Sequence, residues 1–93
     1  MKQPYKLHGV YSMIANVGKS AYAVLSISDF GYDGNTASVY EVDIIQLTVA
    51  IRKGIKDYYI TVNAGGRCIN IWSEDIPSKI FFSEKDANKQ LMS

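Results

Sequence analysis

Between Val39 and Ile51 the apolar residues change step. Tyr40, Val42 and Ile44 alternate on even positions; Ile45, Leu47, Val49 and Ile51 then alternate on odd ones, against Gln46, Thr48, Ala50 and Arg52. Successive side chains of a strand face opposite ways. A slip of one residue therefore sends the second apolar set to the wrong side unless the chain bulges or bends there. Bends of this kind turn the corners of small barrels. The pattern predicts an α+β domain: a strongly bent antiparallel sheet approaching a small SH3-like barrel, with one short C-terminal helix. Helical spacing of Ile44, Leu47, Ile51 and Ile55 is the rival reading, and the dominance of β-branched residues weighs against it.

The flanking segments agree with a sheet. Ile55 to Val62 alternates, with Tyr58, Ile60 and Val62 on one side and Tyr59 and Thr61 on the other. Asn63-Ala64-Gly65-Gly66-Arg67 reads as a hairpin loop. Cys68 to Trp72 returns with Ile69 and Ile71 inward, leaving Cys68, Asn70 and Trp72 on the opposite side. Ser20 to Phe30 is a further strand, ending near Asp29. Tyr5 to Ile14 is a weaker one, and the two are expected to pair as a hairpin closed near Asn16-Gly18. A helix over Tyr11 to Leu25 is the alternative, disfavoured by Gly18 and the β-branched residues. Phe30-Gly31-Tyr32-Asp33-Gly34-Asn35 reads as an exposed loop rich in turn residues.

At the C-terminus Ser83 is placed to cap a helix starting at Glu84, with Asp86 as the acidic partner of a capping box. Phe82 and Ala87 sit at hydrophobic-staple spacing, Ala87 and Leu91 share a helix face, and Pro77 should block any helix running into the segment. The expected organisation is one domain, with a hairpin and Gly-rich loop over 1–36, the main sheet over 37–82 and the helix over 83–92.

The stretch Asp75 to Leu91 resembles the tail of many short phage and prophage proteins: an apolar-Phe-apolar strand (Ile80-Phe81-Phe82), then Ser83, two polar residues, an acidic residue, Ala87, and Leu91 four further on. Asp86 stands where Glu is commoner in those proteins. Val39-Tyr40-Glu41-Val42 and Tyr58-Tyr59-Ile60-Thr61-Val62 are similar to their twisted SH3-like sheets. The resemblance spans roughly the last 55 residues. It implies a mobile-element origin, where small proteins bind and block host factors, CRISPR effectors among them. It carries over no catalytic or binding residue.

Composition narrows the function classes. The chain has 93 residues, 10 Lys/Arg against 9 Asp/Glu, 47% apolar and 20% charged residues, as in an ordinary soluble globular domain. A net charge of +1 argues against a general nucleic-acid binder, which carries a basic excess, and against an acidic DNA mimic. A lone cysteine, Cys68, and the absence of an apolar signal core in Met1 to Tyr5 point to a reducing cytoplasm. No run approaches the ~18–20 apolar residues of a membrane span.

Chemistry-bearing residues are sparse. Gly18-Lys19-Ser20 echoes the end of a P-loop, but Met13 stands where the first glycine belongs. His8 and Cys68 supply two of the four ligands a structural zinc needs, and no third residue orients them as a nucleophile pair. Asp29, Asp33, Glu74 and Asp75 lack metal-site spacing. No cofactor, metal or catalytic residue is assigned, and a non-enzymatic role is expected. Lys53, Lys56 and Arg67 with Tyr59, Trp72 and Tyr58 could build a basic-aromatic sheet face, either a second packing surface or an interface. Seven tyrosines also suit an interface, because Tyr buries area and still hydrogen-bonds at a rim.

The candidate partner-binding residues are thus Phe30 and Tyr32 from the loop, Tyr59 and Trp72 from the sheet, and Arg67 as a cation for an acidic group. The expected function is occlusion of a partner protein's surface, with a host-defence effector as the partner. The alternatives are a nucleic-acid-binding accessory protein using the same face, and a homodimer or larger homo-oligomer whose aromatics form the seam.

Overall fold

The computed structural model describes residues 9–93, and of Tyr11 the backbone only. Five strands, β1 (Ser20–Ser26), β2 (Ala37–Arg52), β3 (Ile55–Ala64), β4 (Arg67–Trp72) and β5 (Ile80–Phe81), form one antiparallel sheet ordered β4-β3-β2-β1-β5. Around it lie α1 (Val10–Ile14), α2 (Ile76–Lys79), α3 (Glu84–Leu91) and a 3-10 turn, Ile27–Phe30. The class is α+β. The sheet ends at β4 on one side and β5 on the other, and strand pairing does not close it.

The phase slip in β2 is a bulge. Ile44 pairs with Val62 and Gln46 with Thr61, leaving Ile45 as the extra residue. The first half of β2 pairs with β1, and the second half runs on with β3 alone. The bulge keeps Val42 and Ile44 before it, and Leu47 after it, on the face of Val62 and Ile60. That face carries the core: Leu25, Val42, Ile44, Ile60 and Val62 are fully buried, joined by Tyr58, Ile69, Ile71, Ile76 and Ile80. Burial of each large aliphatic side chain stabilises the fold by about 1.5–3 kcal/mol. Beyond the core the same face runs out into solvent at Val49 and Ile51.

The N-terminal expectation is corrected. Val10–Ile14 is a short helix, and β1 pairs with β2 and β5. The reason is parity: Val10 and Met13 would face opposite sides of a strand, but three residues apart on a helical turn they pack together against the core. The remainder of the expected first strand, 5–8, lies outside the described residues. The Asn16–Gly18 turn instead leads into β1, with Gly18 N–H donating to the Ile44 carbonyl at 2.7 Å.

α3 begins at Glu84 with Ser83 as its cap, Ser83 Oγ accepting the Asp86 N–H at 3.2 Å. The Asp86 carboxylate does not return a bond to the Ser83 N–H, and the expected capping box is only half made. Ala87 is fully buried, but Phe82 is 53% exposed and does not act as a staple. α3 lies across β1, β2 and β5. Phe81, paired with Tyr22 on the side away from Ala23 and Ile80, lines a shallow groove with α3 residues Asp86, Lys89 and Gln90. The helix therefore covers the back of the sheet. Pro77 sits in the first turn of α2 rather than barring a helix, because a first-turn residue needs no N–H partner.

The β2–β3 turn places two residues at positive φ, Lys53 at 55° and Gly54 at 74°, the conformation of a two-residue type I′ hairpin. Lysine is poorly suited to it. Lys53→Asn should raise stability by up to about 1 kcal/mol, read as a higher urea midpoint at unchanged slope.

Candidate partner-binding site

The five candidate residues fall into two groups on opposite faces of the sheet. The first lies at the rim of the core face. The Gly65-Gly66 turn sets Arg67 directly opposite Ala64, which is buried, so Arg67 shares the face of Ile69 and Ile71 rather than that of Trp72. Arg67 Nη2 donates to the Phe30 carbonyl at 2.9 Å. Its guanidinium carbon stands 5.9 Å from the centre of the Tyr32 ring. Phe30 meets Tyr40 edge-on, with ring centroids 5.2 Å apart. Ile27, Phe30, Tyr32, Tyr40, Ala64, Gly65 and Arg67 line a shallow, mostly apolar groove of about 370 Å³. Tyr32 is 63% exposed at its edge.

The loop that carries these aromatics is fixed from below. The Asp29 carboxylate accepts the Ser26 N–H at 2.8 Å and the Lys79 ammonium at 2.6 Å. Gly31, at φ 90°, ends the 3-10 turn and accordingly takes a left-handed conformation. Burial pushes the Asp29 carboxyl up, but Lys79 and the Ser26 hydrogen bonds outweigh it and hold the group below its ordinary value.

The second group is on the other face. Tyr59 and Trp72 are directly opposite across β3 and β4, with rings 4.9 Å apart at 61°. The cation beside them is Arg52, whose guanidinium carbon lies 4.7 Å from the centre of the Trp72 ring. Arg52 also pairs with Glu74 at 2.7 Å. Lys56, expected on this face, is opposite Ile51 and shares the face of Tyr58. The row next to Tyr59 and Trp72 is polar, with Thr61 Oγ1 donating to Asn70 Oδ1 at 2.8 Å.

Two functional candidates escaped sequence reading. Tyr40 appeared only as a strand residue, and Arg52 only as a polar alternate of β2. The usable signal for Arg52 was its parity with Thr48, which the bulge sets on the Tyr59 side. Tyr58 is buried, and burial followed by the neighbouring Asp57 charge raises its hydroxyl above the ordinary tyrosine range. Among the described residues no group of three His, Cys, Asp or Glu side chains is placed to hold a metal ion. His8 lies outside the described residues, and Cys68 is exposed. No described helix is long and apolar enough to cross a membrane. Compared with known protein families, curated proteins and solved structures, the chain matches none.

Two measurements probe how the loop is held. A Cβ on Gly34, which has φ 128°, would fall on Ile27 Cδ1. Gly34→Ala should cost about 1–3 kcal/mol in thermal unfolding and shift the Tyr32 ring resonances. The second is pH. Asp29 has a lowered folded pKa, so its contribution is present above the unfolded value and is lost as pH falls through the folded one. The melting temperature should fall as the pH drops from about 5 through the lowered folded value of this carboxyl, and Asp29→Asn should flatten that part of the curve.

Proposed function

We propose that the protein is a non-enzymatic binding module that acts by covering a surface of a partner protein. The observation that carries this reading is the Phe30–Tyr32–Tyr40–Arg67 groove. It couples an exposed aromatic, an apolar floor and a cation whose position is fixed by its bond to the Phe30 carbonyl. Aromatic and arginine side chains held in place in this way are the groups that dominate protein–protein binding energy.

The resemblance of Asp75 to Leu91 to short phage proteins extends the proposal to the partner, a host-defence effector. The bent sheet supports reading the fold as SH3-like. The 3-10 turn after β1 comes up to β4, and Arg67 bridges the gap that a closed barrel would fill with strand pairing.

Protein is favoured over nucleic acid as the partner by the second face. The guanidinium there is already paired with Glu74, and Glu41 and Asp43 are exposed on the same side of β2. A base-stacking platform needs the opposite charge balance.

The test is a tagged pull-down from bacterial lysate, with and without nuclease, at low and high salt. A protein retained under all four conditions, and lost with Tyr32→Ala while that variant keeps its wild-type melting curve, is the expected result. An anchor of this type contributes on the order of 2 kcal/mol, about thirtyfold in affinity. Loss of all bound material on nuclease treatment, or full retention by Tyr32→Ala, would refute the proposal.

A further inference from the structure

β4 is an edge strand, and half of its main chain has no neighbour. Ser73 N–H donates to the Tyr58 carbonyl at 3.0 Å, which makes Tyr58 and Ser73 a hydrogen-bonded pair. Alternation along the antiparallel ladder then turns the backbone groups of Arg67, Ile69 and Ile71 toward β3, and those of Cys68, Asn70 and Trp72 outward. The Trp72 carbonyl is taken by the Asp75 N–H at 2.9 Å. The amides of Cys68, Asn70 and Trp72 and the carbonyls of Cys68 and Asn70 are left without a partner among the described residues. Cys68 and Asn70 are both exposed.

Such an edge is ordinarily blunted by lysine, proline, a bulge or extreme shortness. The other edge, β5, is two residues long. β4 has six residues in continuous register, with neither lysine nor proline. It also starts at the groove. Arg67, its first residue, lines the groove and has no carboxylate within ion-pair distance among the described residues, whereas Arg52 and Lys79 each have one. An arginine has five donors, and the bond to Phe30 uses one of them.

We infer that the β4 edge accepts an extended segment of the partner protein as an added strand, and that this segment is acidic and apolar. Its main chain takes up the outward groups of Cys68 and Asn70. Because strand side chains alternate between faces, those on the groove side set an apolar group over Phe30 and Tyr32 and a carboxylate on Arg67. The inference rests on the reading of the groove as a protein-binding site and adds how the partner is gripped.

The test uses the full chain and a displayed library of random short peptides. Enriched peptides should carry a carboxylate and an apolar residue at alternate positions, and their binding should slow amide exchange at Cys68 and Asn70 in the wild-type chain. Cys68→Pro removes an outward N–H without touching the β3 ladder. It should weaken those peptides about tenfold or more, with Cys68→Ala near wild type. Arg67→Ala should weaken them similarly. The exchange measurement needs no variant and decides the matter even where Cys68→Pro fails to fold.

The inference is overturned by peptides that leave the Cys68 and Asn70 amides unprotected, by a library that enriches nothing, or by enriched peptides lacking carboxylates. It is also overturned by concentration-dependent self-association that Cys68→Pro abolishes, which assigns the edge to a second copy of the chain. Peptides lost with Tyr32→Ala but kept by Cys68→Pro would retain the groove and refute the added strand. The reverse pattern would refute the groove and retain the strand.

Discussion

The fold depends on the extra residue in β2. A strand of 16 residues is too long to lie flat against one small core, since most of one face would project into water. The bulge at Ile45 resolves this by bending the strand and resetting its phase, so that apolar residues from both halves point to the same side. Without the reset, Leu47 would share the back of the sheet with Thr61 and Asn70, away from the core of Ile60 and Val62. With it, β1 packs on the first half and β3 on the second. The remaining elements (α1, the 3-10 turn and Ile76 of α2) cover the concave side this creates.

The bend also explains why the candidate groove exists. A curling sheet brings the 3-10 turn that follows β1 up to β4, although two strands separate β1 from β4 in the sheet order. The contact is made by side chains and one carbonyl rather than by a strand ladder: Arg67 reaches the Phe30 carbonyl across the gap. A ladder would have saturated both backbones. A single guanidinium bridge leaves a seam, floored by Ile27, Tyr40 and Ala64 and open to solvent. The ion pair between Asp29 and Lys79 ties the same turn to α2, so the turn is held to two different elements by charge-assisted bonds.

Signals confined to one strand or one turn were legible in the sequence. The slip at Ile44-Ile45, the Gly65-Gly66 hairpin and the Ser83 cap all appear where reading predicts them, because each is set by residues a few positions apart. The partners of β1 were not legible, since pairing over long separations leaves no local mark. Five residues of α1 were too few to show a period. The face of Arg67 was missed for a subtler reason. Asn63 to Arg67 all read as loop, but only Gly65 and Gly66 are. Extending the ladder by Asn63 and Ala64 on β3 and by Arg67 on β4 converts a loop arginine into a strand residue with a defined side. Tyr32, Phe30, Tyr59 and Trp72 were recognisable as candidates by type. Their division between two faces was a tertiary fact.

The two arginines that neighbour aromatic rings are chemically alike and structurally unlike. Arg52 is sandwiched between Trp72 and Glu74, and its charge is answered within the chain. Removing water from it gains little for a partner, because a competing carboxylate already holds it. Arg67 is anchored through a neutral carbonyl, which fixes its position without cancelling its charge. An anion arriving there meets an oriented donor whose side-chain entropy has already been partly lost, so less is forfeited on binding. The asymmetry favours the Arg67 end of β4 for the proposed recognition and leaves the Trp72 end a cross-strand pair whose cation is already answered, although both ends present an aromatic ring beside a cation.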